Sequence, residues 1–343
     1  MQRNEWELPD PPGTAPVRGT SPLRLIVTAV VAAAIVIGTF VVPIPVFFLY
    51  VPGPVRDVGK LVEVDGAKTY SSEGQLFLTT INVKTTVTLF DVAVAAFDPA
   101  SDVVMKEEVT GGQSIEDVRR QAEADMTASK QAARKTALGA LGIPAGDGAR
   151  VVTTYEGTPA EEALRDGDVV VGVDDRPITS TCDVVDAFDE HRAGDVIRIT
   201  VLRDGRRRTI PIETIEHPAE AGAPFVGFEM ADVPGDTVDV KFKTGEIAGP
   251  SAGLMFTLAL YDRLTPDDLT DGRKIAGTGT IACGGIVGMI GGIEEKVAGA
   301  ESQGAEIFLA PEGNYAAALE VADEIEVVSV ATFDDAVEYL EGL

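Results

Sequence analysis

A serine and a lysine stand out by their settings. Ser251 lies in Ile247-Ala-Gly-Pro-Ser251-Ala-Gly-Leu-Met255, and 45 positions later Lys296 lies in Gly291-Gly-Ile-Glu-Glu-Lys296-Val. The chemistry such a pair supports is attack on a carbonyl: a hydroxyl held on a tight turn, an amine to take its proton, and backbone N–H groups to receive the oxyanion. Gly249 and Pro250 make the turn, and Ser251 falls at the start of an apolar helix. There the unpaired N–H groups, those of Ser251 and Ala252 among them, face outward. The amine is a base only when neutral. An ordinary lysine titrates at about 10.4, and burial lowers that value by several units. Ile286, Val287, Met289, Ile290, Ile293 and Val297 offer the apolar surroundings, and Thr278 and Thr280 offer hydroxyls to orient the amine. A glycine turn alone is usually only a turn, and a lone helical lysine is usually solvated. Together at this spacing they specify a Ser-Lys hydrolase.

Other chemistries find little to work with. The chain has two histidines, His191 and His217, neither in a glycine-rich setting, so a Ser-His-Asp triad has no base. No His/Cys cluster and no His-Glu-x-x-His is present, so no metal is expected. No glycine-rich loop ending in Gly-Lys-Ser/Thr occurs, so no nucleotide and no other cofactor is expected. A net charge of −27 argues against nucleic acid as a partner and against electrostatic attraction to anionic lipid. Cys182 and Cys283 have no metal-like spacing and fall in different expected domains; both are read as free thiols, because a bridge would have to cross the boundary.

The elements that must position the pair follow from the chain in order. Residues 1–22 are rich in proline and polar residues and read as a disordered cytoplasmic tail. Residues 25–50 carry no charge, and 25–42 with a few flanking residues are long enough to cross a bilayer. Residues 23–50 are therefore expected to be a transmembrane helix, ended by Pro43 and Pro45, with Phe47, Phe48 and Tyr50 as interfacial anchors. Arg3, Arg18 and Arg24 before the span favour a cytoplasmic N-terminus and an extracytoplasmic remainder. Residues 51–140 read as a β-rich segment, with a strand over 75–83, followed by a connecting helix that begins after Ser114 and runs to about Leu138. Its Met/Ala stripe reads as core.

Five stretches carry a family resemblance. Residues 151–160, with Gly157-Thr-Pro-Ala, and residues 164–178, with Gly167-Asp168, resemble protease-associated PDZ domains of bacteria. Gly249-Pro-Ser-Ala-Gly253 and Gly291-Gly-Ile-Glu-Glu-Lys296 resemble the two catalytic signatures of the Lon-type serine protease domain, and residues 307–311 resemble the strand after its lysine helix. Thr278 matches that family's lysine-orienting threonine. Ala248 stands where many members have aspartate, and Thr280 where they have glutamate. The chain is thus similar to membrane-anchored PDZ–Lon proteases without an ATPase module. The resemblance implies an α+β chain: an N-terminal transmembrane helix, a β-rich PDZ domain over 141–213 and a Lon-type α+β protease domain over 214–343. It implies Ser251 and Lys296 as catalytic residues, Thr278 as the lysine-orienting residue and the Ser251 and Ala252 amides as the oxyanion hole. It further implies ATP-independent endoproteolysis of unfolded or membrane-proximal proteins, peptide binding by the PDZ domain near residues 138–143, and a homo-oligomer, in the family often a hexamer. The rival expectation is a PDZ peptide-binding scaffold with an inert or self-processing protease domain.

Overall fold

The computed structural model describes residues 22–235, 238–245 and 247–343; of the tail expected over 1–22, only Pro22 lies among them. Helix α1, Pro22–Val41, is apolar except for Arg24, and its apolar side chains stand largely exposed. Its 20 residues rise about 30 Å, the thickness of a bilayer core. The helix stops there because Pro43 can donate no backbone hydrogen bond. Strands β1 (Pro43–Ile44), β2 (Phe47–Pro52), β3 (Gln75–Leu78), β4 (Ile81–Lys84) and β5 (Val87–Thr88), helix α2 (Leu89–Ala95) and strand β6 (Asp102–Met105) follow. β1 pairs with β5, and β2 is the middle strand of an antiparallel β4-β2-β6 sheet. The expected span therefore ends nine residues early. Phe47 and Phe48 are not interfacial anchors: Phe48 and Leu49 are buried, because β2 is paired along both edges and packs its side chains inward. The single strand expected over 75–83 is two strands in different sheets, broken at Thr79 and Thr80.

Helix α3, Ile115–Ala140, is capped by Ser114, whose hydroxyl accepts the Asp117 N–H at 3.1 Å. Its buried positions Met126, Ser129, Ala133 and Ala137 recur every three or four residues, the helical period of a core-facing stripe. Strands β7 (Gly146–Thr154) and β8 (Val169–Val173), helix α4 (Thr181–Phe188), and strands β9 (Val196–Arg203), β10 (Arg206–Glu213) and β11 (Phe228–Pro234) form the next unit. Its antiparallel order is β10-β9-β8-β7-β11, over a core that includes Val151, Val170, Val184, Ile197 and Ile199. Asp204 and Gly205, both at positive φ, turn the β9–β10 hairpin, as two-residue connections of this kind require.

Helix α5 (Gly253–Leu264), strand β12 (Lys274–Gly277), helix α6 (Ile293–Ser302) and strands β13 (Ile307–Pro311) and β14 (Glu326–Val330) complete the site-bearing body. Its sheet runs β14-β13-β12-β3, all parallel, with Arg56–Asp57 antiparallel at the edge of β3. Both faces of this sheet are covered, so β3, β12 and β13 carry near-continuous apolar runs. α5 is buried from Gly253 to Leu260 and packs against α3.

Strand pairing divides the chain differently from the expected boundaries. β3 lies inside the sheet that was assigned wholly to 214–343, and β11 completes the sheet assigned to 141–213. The cysteines also depart from expectation. Cys182, in the first turn of α4, is bonded to Cys283 in the turn Cys283–Gly285, with Cα atoms 5.0 Å apart. They are not free thiols. The two sheets dock with these turns face to face, and a sequence separation of 101 residues gave no sign of it.

Candidate active site

Ser251 sits on a short turn, Pro250–Ala252, that leads into α5. Gly249 before it takes φ 92°, which favours glycine, and donates its N–H to the Ala122 carbonyl of α3 at 2.9 Å. Ser129, also on α3, donates its hydroxyl to the Pro250 carbonyl at 3.0 Å. The connecting helix thus braces the serine turn at two points. The first hydrogen bond of the turn runs from the Gly253 N–H to the Pro250 carbonyl. The Ser251 and Ala252 N–H groups therefore stay outside the ladder, at the positive end of α5, where an oxyanion would be stabilised.

Lys296 lies in the first turn of α6, after Gly292 at φ 69°. It is 2% exposed, and its Nζ donates to Thr278 Oγ1 at 3.1 Å. Thr278 in turn donates to the Ser251 carbonyl at 3.0 Å, which also accepts the Gly279 N–H at 2.8 Å. One buried hydroxyl therefore ties the lysine to the serine turn. Burial pushes the Lys296 amine down to about 8, and the neighbouring Glu295 carboxyl partly opposes that shift. Of the apolar neighbours expected around it, Val287, Ile293 and Val297 are buried, whereas Ile286 and Met289 are exposed. Thr280 makes no hydrogen bond to the amine among the described residues; it lines the cleft.

Ser251 and Lys296 line one cleft of about 620 Å3. Ile247, Ala248 and Pro250 line it, and so do Tyr50, Ile81 and Asn82 from β2 and β4. The contribution of β2 and β4 is not legible in the sequence, since nothing local in residues 47–84 points to residues two hundred positions away. Asn314 was missed as well: its amide bonds both the N–H and the carbonyl of Ile290, at 2.9 and 3.0 Å, and so fixes the chain at the cleft. A third omission is Glu295. It is fully buried, and burial pushes its pKa up, with the nearby Glu294 and Asp102 charges adding to that shift and the backbone N–H groups of Glu295 and Asp102 opposing it. Doubled acidic residues before a lysine were the only signal available.

The segment 138–143, expected to hold a peptide carboxylate, is the end of α3 and its cap. Leu138 is buried there, in a small cluster with Ala145 and Val238. The edge strands of the PDZ-like sheet are β10 and β11; β11, the one beside α4, is preceded by Phe225-Val226-Gly227 with Gly227 at φ 90°. Both histidines lie away from the cleft: His191 contacts the Ala187 carbonyl and Asp174, and His217 packs edge-on against Phe225. Among the described residues no group of three His, Cys, Asp or Glu side chains is placed to hold a metal ion.

Comparison with known proteins bears on both sheets. Residues 115–214 match the PDZ domain family, and residues 228–340 match the C-terminal proteolytic domain of Lon protease (S16). Lon protease 2 of Bacillus subtilis is 34% identical over 101 residues, 29% of this chain and 18% of the relative. The Lon protease of Mycoplasma mobile is 38% identical over 98 residues, 27% of this chain and 12% of the relative. Serine endoprotease DegS of Escherichia coli is 31% identical over 64 residues, 19% of this chain and 18% of the relative. The chain thus spans less than a fifth of each of these proteins. Its matched PDZ segment includes α3, the helix that braces the serine turn, so the two domains share that element. The chain thus carries a PDZ domain followed by a Lon-type C-terminal proteolytic domain, the combination that PDZ–Lon-like proteases have.

Proposed function

We propose that this chain is a membrane-anchored serine endopeptidase that hydrolyses extracytoplasmic unfolded or membrane-proximal proteins without ATP. Ser251 Oγ attacks the peptide carbonyl carbon while its proton passes to Lys296 Nζ. The lysine then gives that proton to the departing amine, and water releases the acyl group from Ser251 by the same route. Thr278 holds the lysine, and the Ser251 and Ala252 amides bind the oxyanion. The observation that carries this reading is the buried Lys296 amine, lowered to about 8 and tied through Thr278 to the serine turn in one shared cleft. The α1 helix supports the anchor, and the Cys182–Cys283 bond supports an oxidising compartment, where such bonds persist. The open edge of β11 beside α4 supports peptide capture by strand addition, with the loop 225–228 rather than 138–143 receiving a C-terminal carboxylate.

Full-length protein in detergent, given a labelled unfolded protein without nucleotide, tests the reading. Hydrolysis is expected to rise with pH through about 8, because only the neutral amine accepts a proton. Ser251→Ala is expected to lower it by at least about 10^3-fold. Cleavage in Ser251→Ala close to the wild-type rate, or a rate flat across pH 7–9, would count against the dyad; a silent wild type, in detergent and in membranes, would favour the scaffold. Thr278→Val removes one hydrogen bond from the amine at nearly constant volume. It is expected to lower kcat roughly 10- to 100-fold, the worth of a hydrogen bond to a group that becomes charged. An unchanged kcat would take Thr278 out of the mechanism.

A further inference from the structure

The α2 helix has two apolar faces; one is packed beneath a sheet, and the other, which meets only Phe40 of α1, is largely exposed. Val92 and Ala95 sit against Leu49 and Val87 beneath the β4-β2-β6 sheet. On the other face Phe90 and Val94 follow one another at the helical i, i+4 spacing, and Phe97, in the turn just after α2, extends the patch; all three are exposed, Phe97 by 91%. Leu89 beside them is exposed too. Asp91, the one charged residue of α2, is turned away into a capping box with Thr88 and an ion pair with Lys84 at 2.8 Å. Nothing ionic interrupts the outer stripe.

We propose that this face of α2 docks on the lipid bilayer, seated in the interface at the far end of α1. The inference rests on α1 being a membrane anchor. Two contacts set its height. The Phe40 ring, in the last turn of α1, stacks on Phe90 with centroids 4.4 Å apart. β1, which follows α1 directly, pairs with β5, and α2 starts at the residue after β5. An apolar helix about 30 Å long brings Val41 to the edge of the hydrocarbon core, so Leu89, Phe90, Val94 and Phe97 lie where apolar and aromatic side chains partition into the interface. The attraction is hydrophobic, which suits a chain whose net charge of −27 is repelled by anionic lipid.

The consequence reaches the active site. Tyr50, on the cleft wall, lies six residues beyond Ile44, at most about 20 Å along an extended chain. Docking of α2 therefore holds the cleft close to the bilayer surface.

The test uses the full-length chain in phosphatidylcholine vesicles, with a nitroxide placed by Phe97→Cys and reference labels by Val31→Cys in α1 and Val152→Cys on the exposed face of β7. Labelling without reductant leaves the Cys182–Cys283 bond in place. Collisions with oxygen, enriched in lipid, are compared with those of a water-soluble nickel chelate. The label at 97 is expected to favour oxygen as the label at 31 does, while the label at 152 favours nickel. If 31 reads lipid and 97 reads water, docking is overturned and the anchor stands. If 31 also reads water, the anchor fails and docking with it. A label at 97 shielded from both reagents overturns lipid docking in favour of a contact with a second copy of the chain.

Discussion

Replacing Lys296 by methionine is expected to silence hydrolysis and, at neutral pH, to stabilise the fold. The loss follows from removing the only buried amine that lines the cleft among the described residues; general-base removal costs about 10^2- to 10^4-fold or more. The gain follows from linkage. In the unfolded chain the amine titrates near 10.5, and in the folded one near 8. Between these values the unfolded state holds a proton that the folded state has lost, so stability rises as pH climbs from 8 to 10.5. Below pH 8 both states are protonated and the full penalty applies, roughly 3 kcal/mol for a difference of this size. Methionine fills similar space without a charge, so Lys296→Met should gain about 1–3 kcal/mol at pH 7, an advantage that vanishes above pH 10. Glu295 acts oppositely in the acid range, because a carboxyl whose pKa is raised by burial stabilises the fold only while protonated. Its attraction for the Lys296 amine is already contained in the folded value of about 8, and losing it in the variant trims the gain. Denaturant midpoints of wild type and Lys296→Met at pH 7 and pH 10 provide the measurement. A variant less stable than wild type at pH 7 would mean that the lysine is not buried as a strained base.

Breaking the Cys182–Cys283 bond is expected to cost a large part of the chain's stability. A cross-link closing a loop of 101 residues restricts the unfolded ensemble by up to about 4–5 kcal/mol in the chain-entropy account, and removal of native bridges typically costs about 2–5 kcal/mol. The bond joins α4, beside the open edge of the PDZ sheet, to the turn that separates the strands Thr280–Ile281 and Val287–Gly288. Thr280 lines the cleft, so the bridge ties α4 to a segment of the cleft. The domains should stay docked in the double variant Cys182→Ser/Cys283→Ser. Lys135 of α3 still pairs with Asp232 of β11 at 2.6 Å and donates to Thr181 at 2.8 Å. Urea unfolding of the full chain, wild type against double variant, reads the effect. Equal midpoints, or two reactive thiols in the unreduced native protein, would show that the cross-link is not part of the folded state.

What could be read from the residues alone is what local chain geometry dictates. The glycine–proline turn and the apolar helix after it place Ser251 at a helix start whatever the rest of the chain does. The second glycine segment likewise places Lys296 in the first turn of α6. Thr278 comes into consideration because its hydroxyl lies just upstream of the lysine segment and matches the lysine-orienting threonine of the family that the motifs resemble. The hairpin at Asp204-Gly205 and the Ser114 cap were equally visible, because each needs only its own neighbours. The tertiary structure decided everything that depends on which strand meets which. A short apolar strand such as β3 or β11 carries no mark of its partner; burial and packing against both neighbours choose it. That is why residues 47–84 contribute to the lining of the cleft and Phe48 lies in the core rather than at a membrane interface. It is also why α3 braces the serine turn and two cysteines 101 residues apart meet in one bond.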